Sequence, residues 1–102
     1  MDLKLTTKKE GASLAIVIEG ELNTTTAPQL KAVLEENVPS VDTLRLDFAG
    51  CDFVSSAGLR VLLNAFKGIK AHKGKMELTN IGPNFKEVLN ITGLDAVFGI
   101  KC

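Results

Sequence analysis

Residues 43–48, Thr-Leu-Arg-Leu-Asp-Phe, constrain the fold more than any other stretch. Leu44, Leu46 and Phe48 alternate with Arg45 and Asp47, which is the period of a strand with one apolar and one polar face. A central strand in a sheet covered on both sides is apolar on both faces. Here one face is polar, so helices are expected on one side of the sheet only, giving a thin two-layer α/β domain. Farther on, the period lengthens: Leu59, Leu62, Leu63, Phe66 and Ile69 recur at helical spacing. Between the two patterns lies Asp52-Phe53-Val54-Ser55-Ser56-Ala57-Gly58-Leu59-Arg60. Two adjacent serines therefore sit where a strand ends and a helix starts. That is a turn over the carboxyl edge of a sheet, where α/β proteins tend to place function.

The rest of the chain fits around this turn. Residues 3–7 alternate weakly and read as an edge strand, residues 8–11 as a turn, and residues 13–19 as a second strand with Leu14, Ile16 and Ile18 on one face. Their closeness favours an antiparallel hairpin. Gly20-Glu21-Leu22-Asn23 is expected to leave the second strand. Thr24, Thr25 and Thr26 offer N-cap hydroxyls, and Pro28 suits a first helical turn. Ala27, Leu30, Val33, Leu34 and Val38 form the apolar stripe of that helix, which should end before Pro39-Ser40. The strand at 43–48 leads to a helix over residues 57–70, then a strand over 75–80. Gly82-Pro83-Asn84 opens another helix with Phe85, Val88 and Leu89 inward and Gly93 as its stop. Leu94–Phe98 adds one turn before the tail. The order is β-β-α-β-α-β-α, a small mixed sheet of about four strands with helices on one face.

Composition narrows the function. A chain of 102 residues reads as one domain spanning 1–102. Hydrophobic residues make up 45% and charged residues 24%, an ordinary globular balance. Lys and Arg number 12 against 12 Asp and Glu, so there is no basic excess of the kind that marks direct nucleic-acid binding. The apolar runs fall far short of the ~20 residues a membrane span needs. The start lacks a signal-peptide core, so a cytoplasmic, membrane-free protein is expected. In that compartment Cys51 and Cys102 should be free thiols. With His72 as the sole histidine, they lack zinc-site spacing, and neither a metal nor a cofactor is expected.

The serines admit a bland reading and a functional one. Ser before Ala-Gly-Leu is an ordinary N-cap, and Gly58 would let the helix start approach the sheet. Alternatively, the unpaired N–H groups and positive dipole of a helix start would tolerate a phosphate on Ser56, with its charge of about −1.5 to −2. A partner resting on Val54, Ala57, Gly58 and Leu59 would feel that charge far more than the fold would. Desolvating it at an apolar contact costs several kcal/mol, which is roughly a thousandfold in affinity. Catalysis fits less well. His72 stands in a Lys-rich turn, there is no Gly-x-Ser-x-Gly, and no phosphate-binding loop motif occurs. Asp47 reads as part of a solvated sheet face, Asp52 as a loop cap and Cys51 as a small buried filler. Lys67, Lys70, Lys73 and Lys75 read as a solvated face near a helix C-terminus.

The element order, with Gly20-Glu21-Leu22-Asn23 after the second strand and Val54-Ser55-Ser56-Ala57-Gly58-Leu59 after the third, resembles the STAS domain. The closest pattern is that of bacterial anti-sigma factor antagonists, and residues 55–63 are its most specific part. The resemblance covers essentially the whole chain. It implies a non-catalytic binding module, monomeric by default, whose phosphorylated serine stands two residues before the glycine, here Ser56. It further implies an anti-sigma factor that is itself a serine kinase, bound when Ser56 is unmodified, and a PP2C-type phosphatase that removes the phosphate. The partner surface would include Asn23, Thr24, Val54, Ser55, Ala57, Gly58, Leu59 and Arg60. Two positions depart from many members: Asn23 and Ser55 stand where an acid is common, which removes negative charge near the site and leaves Ser55 as a second candidate acceptor. A stressosome subunit or a transporter-associated STAS module would use the same surface.

Overall fold

The alternating stretches pair as one four-stranded sheet whose strands lie side by side in sequence order. The structure is a computed structural model describing residues 3–98. Its elements are β1 (Lys4–Glu10), β2 (Ser13–Leu22), α1 (Ala27–Asn37), β3 (Thr43–Val54), α2 (Ser56–Ala71), β4 (Lys75–Thr79), α3 (Pro83–Thr92) and α4 (Leu94–Phe98), with a 3-10 turn at Val38–Ser40 after α1. β1 and β2 form an antiparallel hairpin, while β2, β3 and β4 run parallel, joined through α1 and α2. The tail beyond Phe98, with Cys102, lies outside the described residues.

One face of the sheet carries the core. Leu14, Ile16 and Ile18 of β2 stand beside Leu44, Leu46 and Phe48 of β3, all at most 2% exposed. Leu30 and Leu34 of α1, Leu62 and Ile69 of α2, and Phe85 and Leu89 of α3 close over them. Phe48 and Phe85 meet edge to face at 4.8 Å, which pins α3 to β3. The opposite face stays polar: Arg45 is exposed, Ala15, Val17 and Asp47 are half-buried, and Arg45 pairs with Glu77 on the next strand. The alternation at 43–48 thus does set a one-sided architecture, because burying Arg45 and Asp47 under a second helical layer would strand their charges.

Three elements run longer than their sequence patterns. β1 continues through Lys8–Glu10, because pairing with Leu14 and Ser13 satisfies backbone that the charged side chains leave solvated. β2 does not leave the sheet at Gly20 but reaches Leu22, whose side chain is fully buried. β3 runs on to Val54 through Ala49-Gly50-Cys51, where no alternation is visible. The register shows why: Val17 faces Asp47, Glu19 faces Gly50 and Glu21 faces Phe53. Extra residues bulge out of β3 at each step, which breaks the simple period while the pairing persists.

Caps also differ from expectation. Thr26 is the N-cap of α1, yet its hydroxyl makes no capping bond; it donates to the Glu21 carbonyl at 2.6 Å. Asn23 orders the turn ahead of the helix, its Oδ1 accepting the N–H groups of Thr25 at 2.9 Å and Thr26 at 3.0 Å. Gly93 ends α3 in the left-handed region at φ 77°, as a glycine stop should.

Candidate functional site

Because β2, β3 and β4 are parallel, the helices that follow them all begin at one edge of the sheet. The serine pair lies in the middle of that edge. Ser55 is the N-cap of α2: its N–H donates to the Leu22 carbonyl at 2.8 Å, and its Oγ accepts from the Gly58 N–H at 3.4 Å. Its carbonyl receives the Leu59 N–H at 2.9 Å. Ser55 is half-buried and committed to structure, while Ser56, the first residue of α2, is exposed. The bland N-cap reading therefore describes Ser55, and the free hydroxyl belongs to its neighbour.

The residues around Ser56 divide into a scaffold and a surface. Val54 and Leu59 are 5% and 7% exposed, and Gly58 is buried against Leu22 and Val54. The side chains of Val54 and Leu59 face the core and Gly58 is covered, so these three expected surface positions offer little area to a partner. The apolar positions of a strand end and a helix start turn inward wherever both elements bury one face. The outward surface comes from Ser56 and Arg60, with half-buried Ser55 and Ala57, and from exposed Thr24 beside half-buried Asn23. Asn23 keeps its Oδ1 engaged with backbone N–H groups, so it shapes the loop before α1. The first turn of α2 holds no acidic side chain, which leaves its dipole without a compensating charge.

Two features escaped the sequence reading. Phe53 is 53% exposed beside the serine pair, although its type suggests a core position. Asp52 does not cap its own loop: its Oδ1 accepts the N–H groups of Asn84 at 3.1 Å and Phe85 at 3.2 Å, and its Oδ2 accepts from Asn84 Nδ2 at 2.7 Å. It is the missing side-chain cap of α3, whose own N-cap position is Gly82. A bond across 32 or 33 residues leaves no local spacing to read.

The remaining reactive groups lie elsewhere. His72 follows the C-terminus of α2, about 24 Å along the helix from Ser56, and its Nε2 stands 2.7 Å from the Val41 carbonyl. Cys51 is 1% exposed, and burial pushes its thiol pKa up, the opposite of an activated nucleophile. Among the described residues no cluster of His, Cys, Asp and Glu is disposed to hold a metal, and no helix is long and apolar enough to cross a membrane. A groove of about 400 Å³ between α1 and α2 is walled by Leu34, Val38, Val61 and Ala65, with Lys31, Glu35 and Asn64 at hand.

This geometry has relatives. BtrV of Bordetella bronchiseptica, which carries the name of an anti-sigma factor antagonist, is 33% identical over 96% of this chain and 85% of its own. The anti-sigma-B factor antagonist of Listeria monocytogenes is 31% identical over 84% of this chain and 76% of its own. The anti-sigma factor antagonist SpoIIAA shares the fold in its unphosphorylated form, with a TM-score of 0.80 at 21% identity over 97% of this chain and all of that one. Its phosphorylated form from Bacillus does so at 0.76 and 22% identity, over 91% and 86%. The sequence profile of the STAS domain matches residues 4–102. With the mixed four-stranded sheet and the serine turn in place, this chain belongs to the STAS domain family.

Proposed function

We propose that this chain is an anti-sigma factor antagonist that binds an anti-sigma factor while Ser56 is unmodified and releases it once Ser56 is phosphorylated. The observation that carries this reading is the exposed Ser56 at the first position of α2, on a turn seated on the core by the buried Val54 and Leu59. Relatives over most of the chain bear the name of antagonists, and SpoIIAA exists in a phosphorylated form. The scaffold of Leu22, Val54, Gly58 and Leu59 is buried, so added charge at Ser56 would leave the fold in place. The same charge would burden a contact made through Ser56, Ala57, Arg60 and Thr24. The chain acts as a binding module in the cytoplasm, with no step catalysed by its own residues. The anti-sigma factor is the serine kinase for Ser56, and a PP2C-type phosphatase restores the binding form.

Incubation with the cognate anti-sigma factor and ATP, followed by mass mapping, tests the modification. Phosphate on Ser56 is the expected result. Phosphate on Ser55 or elsewhere, or none, contradicts the assignment.

A further inference from the structure

We infer that Asp52 is a positioning residue: by bonding to the first turn of α3 it holds the switch turn in its binding geometry without itself touching the partner. The inference rests on the proposed role of Ser56 and adds what keeps that residue in place. β3 pairs with β4 only as far as Asp47 opposite Thr79, so Phe48–Val54 has no β4 partner. On its other side this segment follows β2 through the shifted register at Gly50 and Phe53. A bulged strand end paired on one side is free to move unless something else holds it. Phe48, Cys51 and Val54 seat the segment on the core, and the Asp52 carboxylate adds the polar hold toward α3, with its two backbone acceptances from Asn84 and Phe85 and its bond from Asn84 Nδ2.

The anchor is packed into the core. Phe85, whose N–H Asp52 accepts, is fully buried against Phe48. Gly82 is fitted to the same contact, because a β-carbon there would stand 2.2 Å from Asp52 Oδ1. Its φ of −76° is open to any residue, so what excludes a side chain is the carboxylate. On the β2 side the turn is held by the Ser55 N–H on the Leu22 carbonyl. Asp52 completes the clamp from the α3 side, three residues before Ser55. A turn ordered before binding loses less entropy when the partner arrives.

Three variants test this. Asp52→Ala removes every acceptor. Gly82→Ala displaces the carboxylate without altering it. Asp52→Asn keeps an oxygen for the two backbone N–H groups. Amide exchange is read at Ser55, Gly58 and Leu59, with Ile16 and Leu46 as core controls. Asp52→Ala and Gly82→Ala should speed exchange at the turn by about tenfold or more, with the core controls unchanged and Asp52→Asn close to the parent. Affinity for the cognate anti-sigma factor should fall by a similar factor in the first two variants and be kept in the third. Unchanged exchange at the turn, or acceleration shared equally by the core, overturns the inference, as does full affinity in both loosened variants. A parent chain that binds no anti-sigma factor sinks the proposed function instead, and the exchange pattern still decides whether Asp52 orders the turn.

Discussion

Gly58 stands against Leu22 so closely that a β-carbon on it would lie 2.6 Å from Leu22 Cγ. The contact joins the end of β2 to the start of α2, because Leu22 is the last residue of the strand and Gly58 the third of the helix. Gly58→Ala must therefore push α2 off the sheet. A cost of about 1–3 kcal/mol is expected from overpacking, offset by at most about 1 kcal/mol because Ala is the better helix former, so the variant should be the less stable. Urea unfolding checks it, and a stability equal to or above the parent's would show that the helix start is not seated as described.

Phe85 and Ile91 share α3 and make opposite predictions. Phe85 is fully buried on Phe48, whereas Ile91 is 77% exposed. Phe85→Ala should cost about 3–5 kcal/mol, which is severe for a domain of this size, while Ile91→Ala should stay within about 0.5 kcal/mol. Thermal unfolding of the two variants side by side separates them.

These residues also show how much was legible beforehand. Leu44, Leu46 and Phe48 announce a half-buried strand because a sheet that is open on one face makes burial alternate. Leu30, Leu34, Leu62 and Ile69 announce helices for the matching reason at the helical period. The ends of β2 and β3 were not legible, because bulges at Glu19–Gly50 and Glu21–Phe53 remove the alternation on which a strand is recognised. Ser56 was legible as a displayed hydroxyl. The inward direction of Val54 was not, since it lies beyond the bulges that interrupt the strand period, whereas Leu59 opens the apolar stripe of α2. The cap supplied by Asp52 depends on how the chain comes back on itself across 32 or 33 residues, and neighbouring residues do not encode that.

Asp47 gives the chain an acid-side signature. The Ala49 N–H at 2.9 Å and then Asn80 Nδ2 at 3.0 Å hold its carboxyl below the ordinary value of 3.8. A carboxylate whose pKa is lowered by folding contributes stability above its unfolded value, and that contribution disappears as pH falls through the folded value. Urea midpoints at about pH 6 and about pH 3 should therefore drop further for the parent than for Asp47→Asn. The difference should be small, because Asp47 lies on the open face of the sheet, where solvent screens its interactions.

Cys51 should be chemically quiet. It is buried, its Sγ lies 3.5 Å from the Phe53 carbonyl, and burial raises its pKa, so little thiolate exists near neutral pH. In a Cys102→Ser background, alkylation of native protein should proceed only as fast as the fold opens and become rapid in denaturant. Rapid reaction of the native protein would place Cys51 outside the core.

The most direct measurement is the Kd of the cognate anti-sigma factor for this chain unmodified and phosphorylated at Ser56, by calorimetry on samples with matching circular dichroism. A dianion desolvated at the contact costs several kcal/mol, so the phosphorylated form should bind roughly a thousandfold more weakly. Ser56→Ala should bind like the unmodified protein and Ser56→Asp poorly. Equal affinity of the phosphorylated and unmodified forms, both folded, would contradict the account.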